Sequence, residues 1–111
     1  MLNFLFRSRS PQRDRENDQA RLARIHQTVR TCVKNAESEL NGLRARLEKA
    51  RQSASMVVGN VDNGERDEAR RSELRRVEER LLTAERRIVQ LKDHLAALQR
   101  IASAVNMELN S

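Results

Sequence analysis

Aromatic residues are almost missing from this chain of 111 residues: there is no Trp and no Tyr, and the two phenylalanines are Phe4 and Phe6. With nothing aromatic after Phe6, the body has no large rings to fill a deep core and none on which nucleobases would stack. Cysteine occurs once, at Cys32, which excludes an internal disulfide and fits a reducing compartment. The three glycines are scattered at Gly42, Gly59 and Gly64, so no glycine-rich phosphate loop exists, and neither a Cys-x-x-Cys nor a His-Glu-x-x-His motif is present. Proline occurs only at Pro11. No stretch approaches the roughly 18 apolar residues that span a bilayer. The opening Met1-Leu2-Asn3-Phe4-Leu5-Phe6 is too short for a signal-peptide core, so the expected location is cytoplasmic.

What the chain does have is charge and periodicity. Charged residues make up 34% and apolar ones 38%, a mixture suited to long, solvated helices. Leu74, Val77, Leu81, Ala84, Ile88, Leu91, Leu95, Leu98, Ala102, Val105 and Leu109 keep an unbroken seven-residue repeat. An earlier stripe, Leu22, Ile25, Val29, Cys32, Ala36, Leu40, Leu43, Leu47, Ala50 and Ala54, keeps nearly the same one, with two consecutive four-residue steps leading to Leu40 that read as a stutter. Disordered chains show no such sustained apolar period. Stripes this narrow must be buried against another helix. The expected fold is therefore all-α: a long antiparallel two-helix coiled-coil hairpin, dimerising into a four-helix bundle.

Boundary signals place a tail at residues 1–10, helix one at 11–58, a loop at 59–63 and helix two at 64–109, forming one hairpin domain over 11–109. Ser10 is suited to cap the first helix, with Pro11 at its first position. Gly59 and Asn60 are natural terminators, and Asp62 with Glu65 has capping-box spacing. Two arms of about 45 residues, each about 65–70 Å at 1.5 Å per residue, make a rod-like hairpin. Pairing residues whose numbers sum to about 124 sets Ala50 against Leu74, Leu43 against Leu81, Leu40 against Ala84 and Ala36 against Ile88, with small facing large at Ala50, Ala84, Ala36 and Ala102. On the flanks of the second helix, the e positions include Glu78 and Glu85 and the g positions Arg80 and Arg87, where charge selects partner and orientation.

Catalysis finds no support in these residues. A two-helix rod offers no dry cleft for paired carboxylates, so the chain reads as not an enzyme, with no cofactor and no metal site. Cys32 reads as a small buried hydrophobe on the stripe, and His26 and His94 as solvated flank residues. Leu82, Val89 and Ala96 form a second apolar line about 100° from the main stripe, wider than one partner helix covers. A second copy or another helical protein is the expected occupant. Phe4, Leu5 and Phe6 are the other candidate partner-binding residues. The tail either folds back on the open end, docks into a partner, or touches an anionic membrane through residues 1–9.

The formal charge of +6 is concentrated early: residues 1–57 hold twelve bases and six acids, residues 58–111 ten of each. Arg7, Arg9, Arg13, Arg15, Arg21 and Arg24 form the candidate basic patch. Asp14, Glu16 and Asp18 interrupt it, which disfavours nucleic acid. The first functional expectation is a non-catalytic interaction protein, a scaffold, adaptor or chaperone-like module. The alternative is a peripheral membrane-surface or nucleic-acid binder using the basic amino-terminal third.

Overall fold

A computed structural model of the chain describes residues 10–59 and 65–111, with side chains described over 10–56 and 67–111. The chain is an all-α helical hairpin of two helices, α1 (Pro11–Gly59) and α2 (Glu65–Leu109). α1 runs one residue beyond position 58, and α2 begins one residue after position 64. Ser10 caps α1: its Oγ accepts the Arg13 backbone N–H at 3.4 Å and its carbonyl accepts that of Asp14 at 3.0 Å. The expected cap residue of the second helix, Asp62, lies outside the described residues, as do Asn60 and Gly64.

Two compact units are present, one of Met1–Lys34 with Ala96–Ser111 and one of Asn35–Leu95. The second is built on buried Ala36, Leu40 and Leu47 of α1 and Ile88, Leu91 and Leu95 of α2, with Leu91 the most enclosed side chain at 1% exposure. Burying a leucine to this extent is worth about 1.5–3 kcal/mol. In the first unit Val29 is buried, while Leu22, His26, Val33, Leu98, Ala102, Val105 and Leu109 are half-buried around it. Every position of the α2 stripe is buried or half-buried.

On α1 the structure corrects the expected stripe. Ile25 is half-exposed at 49% and Cys32 is exposed, while their neighbours His26 and Val33 turn inward. The enclosed positions become 22, 26, 29, 33, 36, 40, 43, 47, 50 and 54, in steps that alternate four and three throughout. The stutter at Leu40 disappears. Helix geometry selects the position that continues the repeat, so His26 is enclosed in preference to the more apolar Ile25. α1 also continues through Asn41 and Gly42 without a break.

The pairing register is corrected too. Arg87 donates through Nε and Nη2 to the two carboxylate oxygens of Glu39, at 2.9 and 3.2 Å, and Arg51 donates through Nη2 to Glu85 at 3.1 Å. These pairs have numbers summing to 126 and 136. A register of 124 would displace Arg51 from Glu85 by twelve residues, about 18 Å along the axes before the helix separation is counted, too far for the two side chains to meet. The apolar stripes match again one heptad further on, at 131. There each ion pair is displaced by five residues in opposite senses, about 7.5 Å, which extended side chains cover.

Each unit fits this register on its own residues. In the Asn35–Leu95 unit, Ala36 stands level with Leu95, Leu40 with Leu91, Leu43 with Ile88, Leu47 with Ala84 and Ala50 with Leu81. In the other unit, residues 11–21 of α1, which this register carries past the level of Leu109, are exposed, and Leu109 lines a shallow groove that runs along Gln12, Arg15, Glu16, Gln19, Ala20 and Ala23. Small still faces large at Ala36, Ala84 and Ala50. At the loop end the next stripe positions of α2 are Asp67 and Arg70, half-buried, with Asp67 Oδ1 and Arg70 Nη1 enclosed without a hydrogen-bond partner among the described residues.

Candidate functional site

In an antiparallel helix pair, g positions face g positions and e positions face e positions. On the phase that the burial establishes, Ile25, Cys32, Glu39 and Arg46 form the g line of α1, and Arg80, Arg87, His94 and Ile101 that of α2. The Glu39–Arg87 clamp is a g–g contact. The Arg51–Glu85 pair is an e–e contact. Of the four α2 flank residues read from sequence as selectors of partner and orientation, Glu85 and Arg87 pair with α1 of the same chain, whereas Glu78 and Arg80 form no ion pair among the described residues.

The clamp carries the clearest electrostatic signature among the described residues. Arg87's hydrogen bonds hold the Glu39 carboxylate below the ordinary glutamate range against the opposing effect of desolvation, with the positive charges of Arg87, Arg46 and His94 adding to them. The Arg87 guanidinium is held above its usual value by the same bonds. Bidentate geometry fixes the two side chains relative to each other, which a lysine in place of Arg87 would not do. The influence of His94 on Glu39 also agrees with the 131 register, in which the two stand within a turn of each other.

Of the sequence-derived partner residues, Leu82 and Val89 are exposed at 51% and 59%, and Ala96 is half-buried. They share the face of α2 turned away from its own stripe. Phe4, Leu5, Phe6, Arg7 and Arg9 lie outside the described residues. Arg13, Arg15, Arg21 and Arg24 are all exposed on α1. Arg21 pairs with Asp18 at 3.3 Å; the other three have no ion-pair partner among the described residues.

Ile25 and Ile101 were not singled out as surface residues, yet both are about half-exposed. They stand two heptads outward from Glu39 and Arg87 on the same two g lines. Assigning the g lines of both helices together would have found them. His26 is not a solvated flank residue but part of the stripe, whereas His94 is exposed. Cys32 is a free, exposed thiol. Among the described residues no cluster of three or more His, Cys, Asp or Glu side chains is arranged to hold a metal ion, and no helix is long and apolar enough to cross a membrane.

No protein-family model matches the chain, and neither does any characterised protein or solved structure.

Proposed function

We propose that this chain is a non-catalytic interaction protein that acts through helix packing, as a homodimer or with another helical protein, in the cytoplasm. The observation that supports this reading most is the exposed Leu82–Val89 line. The inward stripe of α2 is satisfied by α1, yet the helix carries two further large aliphatic residues one heptad apart on its outer face. Scattered single aliphatics are ordinary on protein surfaces; a pair aligned along one helix face is a seam. A scaffold or chaperone-like role follows from such a seam on a helical hairpin.

The test is sedimentation of the full chain beside the Leu82→Glu, Val89→Glu double variant. Self-association, or capture of a helical protein, that the double variant loses supports the proposal. A folded monomer that binds nothing, or association that survives the double change, refutes it.

A second reading rests on the exposed Arg13, Arg15 and Arg24, which face solvent without ion-pair partners among the described residues. It has this segment, with residues 1–9, attach to an anionic membrane surface. Binding to anionic vesicles that weakens with salt and vanishes when residues 1–9 are removed would support it; absence of binding at low salt would end it.

A further inference from the structure

The outer face of α2 carries a charge pattern that selects one way for a second copy to sit on it. Building on the homodimer reading above, we infer that α2 pairs antiparallel with α2 of a second copy about a two-fold axis passing beside Val89. The seam is the b line of the heptad, Leu82, Val89 and Ala96. It is flanked on one side by the e residues Glu85 and Lys92, and on the other by the f residues Glu79, Arg86, Asp93 and Arg100. All six flanking residues are exposed, and apart from Glu85 none forms an ion pair among the described residues.

Antiparallel pairing about such a seam sets e against e and f against f, so each register makes a definite set of charge contacts. An axis midway between Leu82 and Val89 sets Arg86 against Arg86, Glu85 against Glu85 and Glu79 against Asp93, outnumbering its one attractive contact, Glu78 with Lys92. An axis at Leu82 sets Glu78 against Glu85 and Arg71 against Lys92, outnumbering its one attractive contact, Glu79 with Arg86. An axis midway between Val89 and Ala96 sets Lys92 against Lys92, Asp93 against Asp93 and Arg86 against Arg100. Every one of these juxtaposes like charges, which costs specificity and affinity.

An axis at Ala96 sets Asp93 against Arg100 but faces Lys92 with the neutral Gln99 and Val89 with Ser103, so it makes one kind of attractive contact and pairs no large aliphatic residues. The axis at Val89 makes the most opposite-charge contacts and no like-charge one. Arg86 of each copy then meets Asp93 of the other, Glu85 meets Lys92, and Glu79 meets Arg100, each contact made twice by symmetry. Glu78 meets the neutral Gln99. Along the seam Val89 meets its own copy and Leu82 meets Ala96, large against small. Glu85 gives one oxygen to Arg51 within its own chain, leaving the other free for the partner's Lys92. The apolar line and both charged flanks therefore agree on one register.

Single charge reversals at the f flank test this, because two-fold symmetry makes them self-incompatible and mutually compatible. R86D alone sets Asp against Asp93 twice; D93R alone sets Arg against Arg86 twice. Each variant is expected to dimerise roughly tenfold more weakly than the parent, as two attractive surface pairs become repulsive. Mixed in equal amounts, with one carrying a mass tag, they are expected to form the heterodimer at parental strength, and the double variant R86D with D93R is expected to self-associate like the parent. Far-UV circular dichroism on each sample verifies that the helices remain. If the parent dimerises but both reversals leave it unaffected, or the mixture shows no preference for the heterodimer, the Val89 register is wrong while the dimer reading stands. If the folded parent is monomeric at high concentration, the dimer reading and this inference fall together.

Discussion

Double-mutant cycles around Leu43 distinguish the two registers that the apolar stripes allow. At 131, Leu43 stands level with Ile88; at 124 its partner would be Leu81. Ile88 is buried and Leu43 half-buried, so Ile88→Ala is expected to cost toward the middle of the usual range of about 2–5 kcal/mol, and Leu43→Ala near its lower end. Side chains that share a layer lose part of the same contact twice when both are cut, giving coupling energies of about 0.5–3 kcal/mol, whereas sites more than about 7–10 Å apart add. In the 131 register Leu81 is seven residues, about 10 Å, from the level of Leu43. The Leu43–Ile88 cycle should therefore show coupling of about 1 kcal/mol or more. The Leu43–Leu81 cycle should be additive within about 0.5 kcal/mol. Urea unfolding followed by far-UV circular dichroism supplies the energies. Coupling between Leu43 and Leu81 with additivity between Leu43 and Ile88 would refute the register and the part given to the ion pairs in choosing it.

Three further outcomes follow from the side chains described. A methyl group added at Gly42 would meet only the Arg46 Nη2 atom, at 3.6 Å, an ordinary contact, so Gly42→Ala should stabilise α1 by about 0.5–1 kcal/mol, read as a raised melting temperature. Cys32 should react with an aromatic disulfide reagent in the native protein nearly as fast as in denaturant; strong native-state protection would restore it to the stripe and contradict the phase of α1. Glu39 has its pKa lowered by Arg87, so the clamp's stabilisation is complete above the ordinary glutamate range and lost as the pH falls through it toward the lowered value. The stability difference between the parent and Glu39→Gln should accordingly be constant near neutrality and shrink in acid; a difference that grows in acid would show that the carboxylate is not stabilised by its partner.

How much of this was legible in the sequence depends on which symmetry a residue breaks. The α2 stripe is readable in full because its flanking positions are charged from Glu78 to Lys92, leaving one apolar phase. In the first half of α1, apolar side chains stand at both Ile25 and Cys32 and at the neighbouring Val33, so two phases compete. Hydrophobicity alone favours Ile25 over His26, and only continuity with Ala36 and Leu40 decides the matter. Register is a harder problem, since sliding two heptad stripes by seven residues leaves apolar facing apolar and small facing large. Ion pairs with defined reach break that degeneracy. Here Arg51 and Glu85 do so, and identifying them requires the positions of two long side chains, which no periodicity specifies.

Function was legible to a smaller extent, for a related reason. Leu82 and Val89 could be picked out because they lie on a face that α1 does not need, and the structure leaves them exposed. Ile25 and Ile101 escaped notice because each looks like a stripe residue or an ordinary surface aliphatic until both g lines are drawn together. The partner that covers any of these residues is a property of a second surface.

A spin-label distance within the Asn35–Leu95 unit tests the central claim, that the two helices pair one heptad beyond the register of 124 read from the stripes. Labels at Lys49 and Lys92, both exposed, in a Cys32→Ser background and diluted with unlabelled protein, read the axial offset by pulsed electron paramagnetic resonance. In the 131 register the two positions are ten residues apart along the axes, giving a backbone separation of about 18 Å with helices about 10 Å apart. In the 124 register they are seventeen residues apart and the separation is about 27 Å. A distance distribution centred near the shorter value is the predicted result, and one centred near the longer value would contradict it.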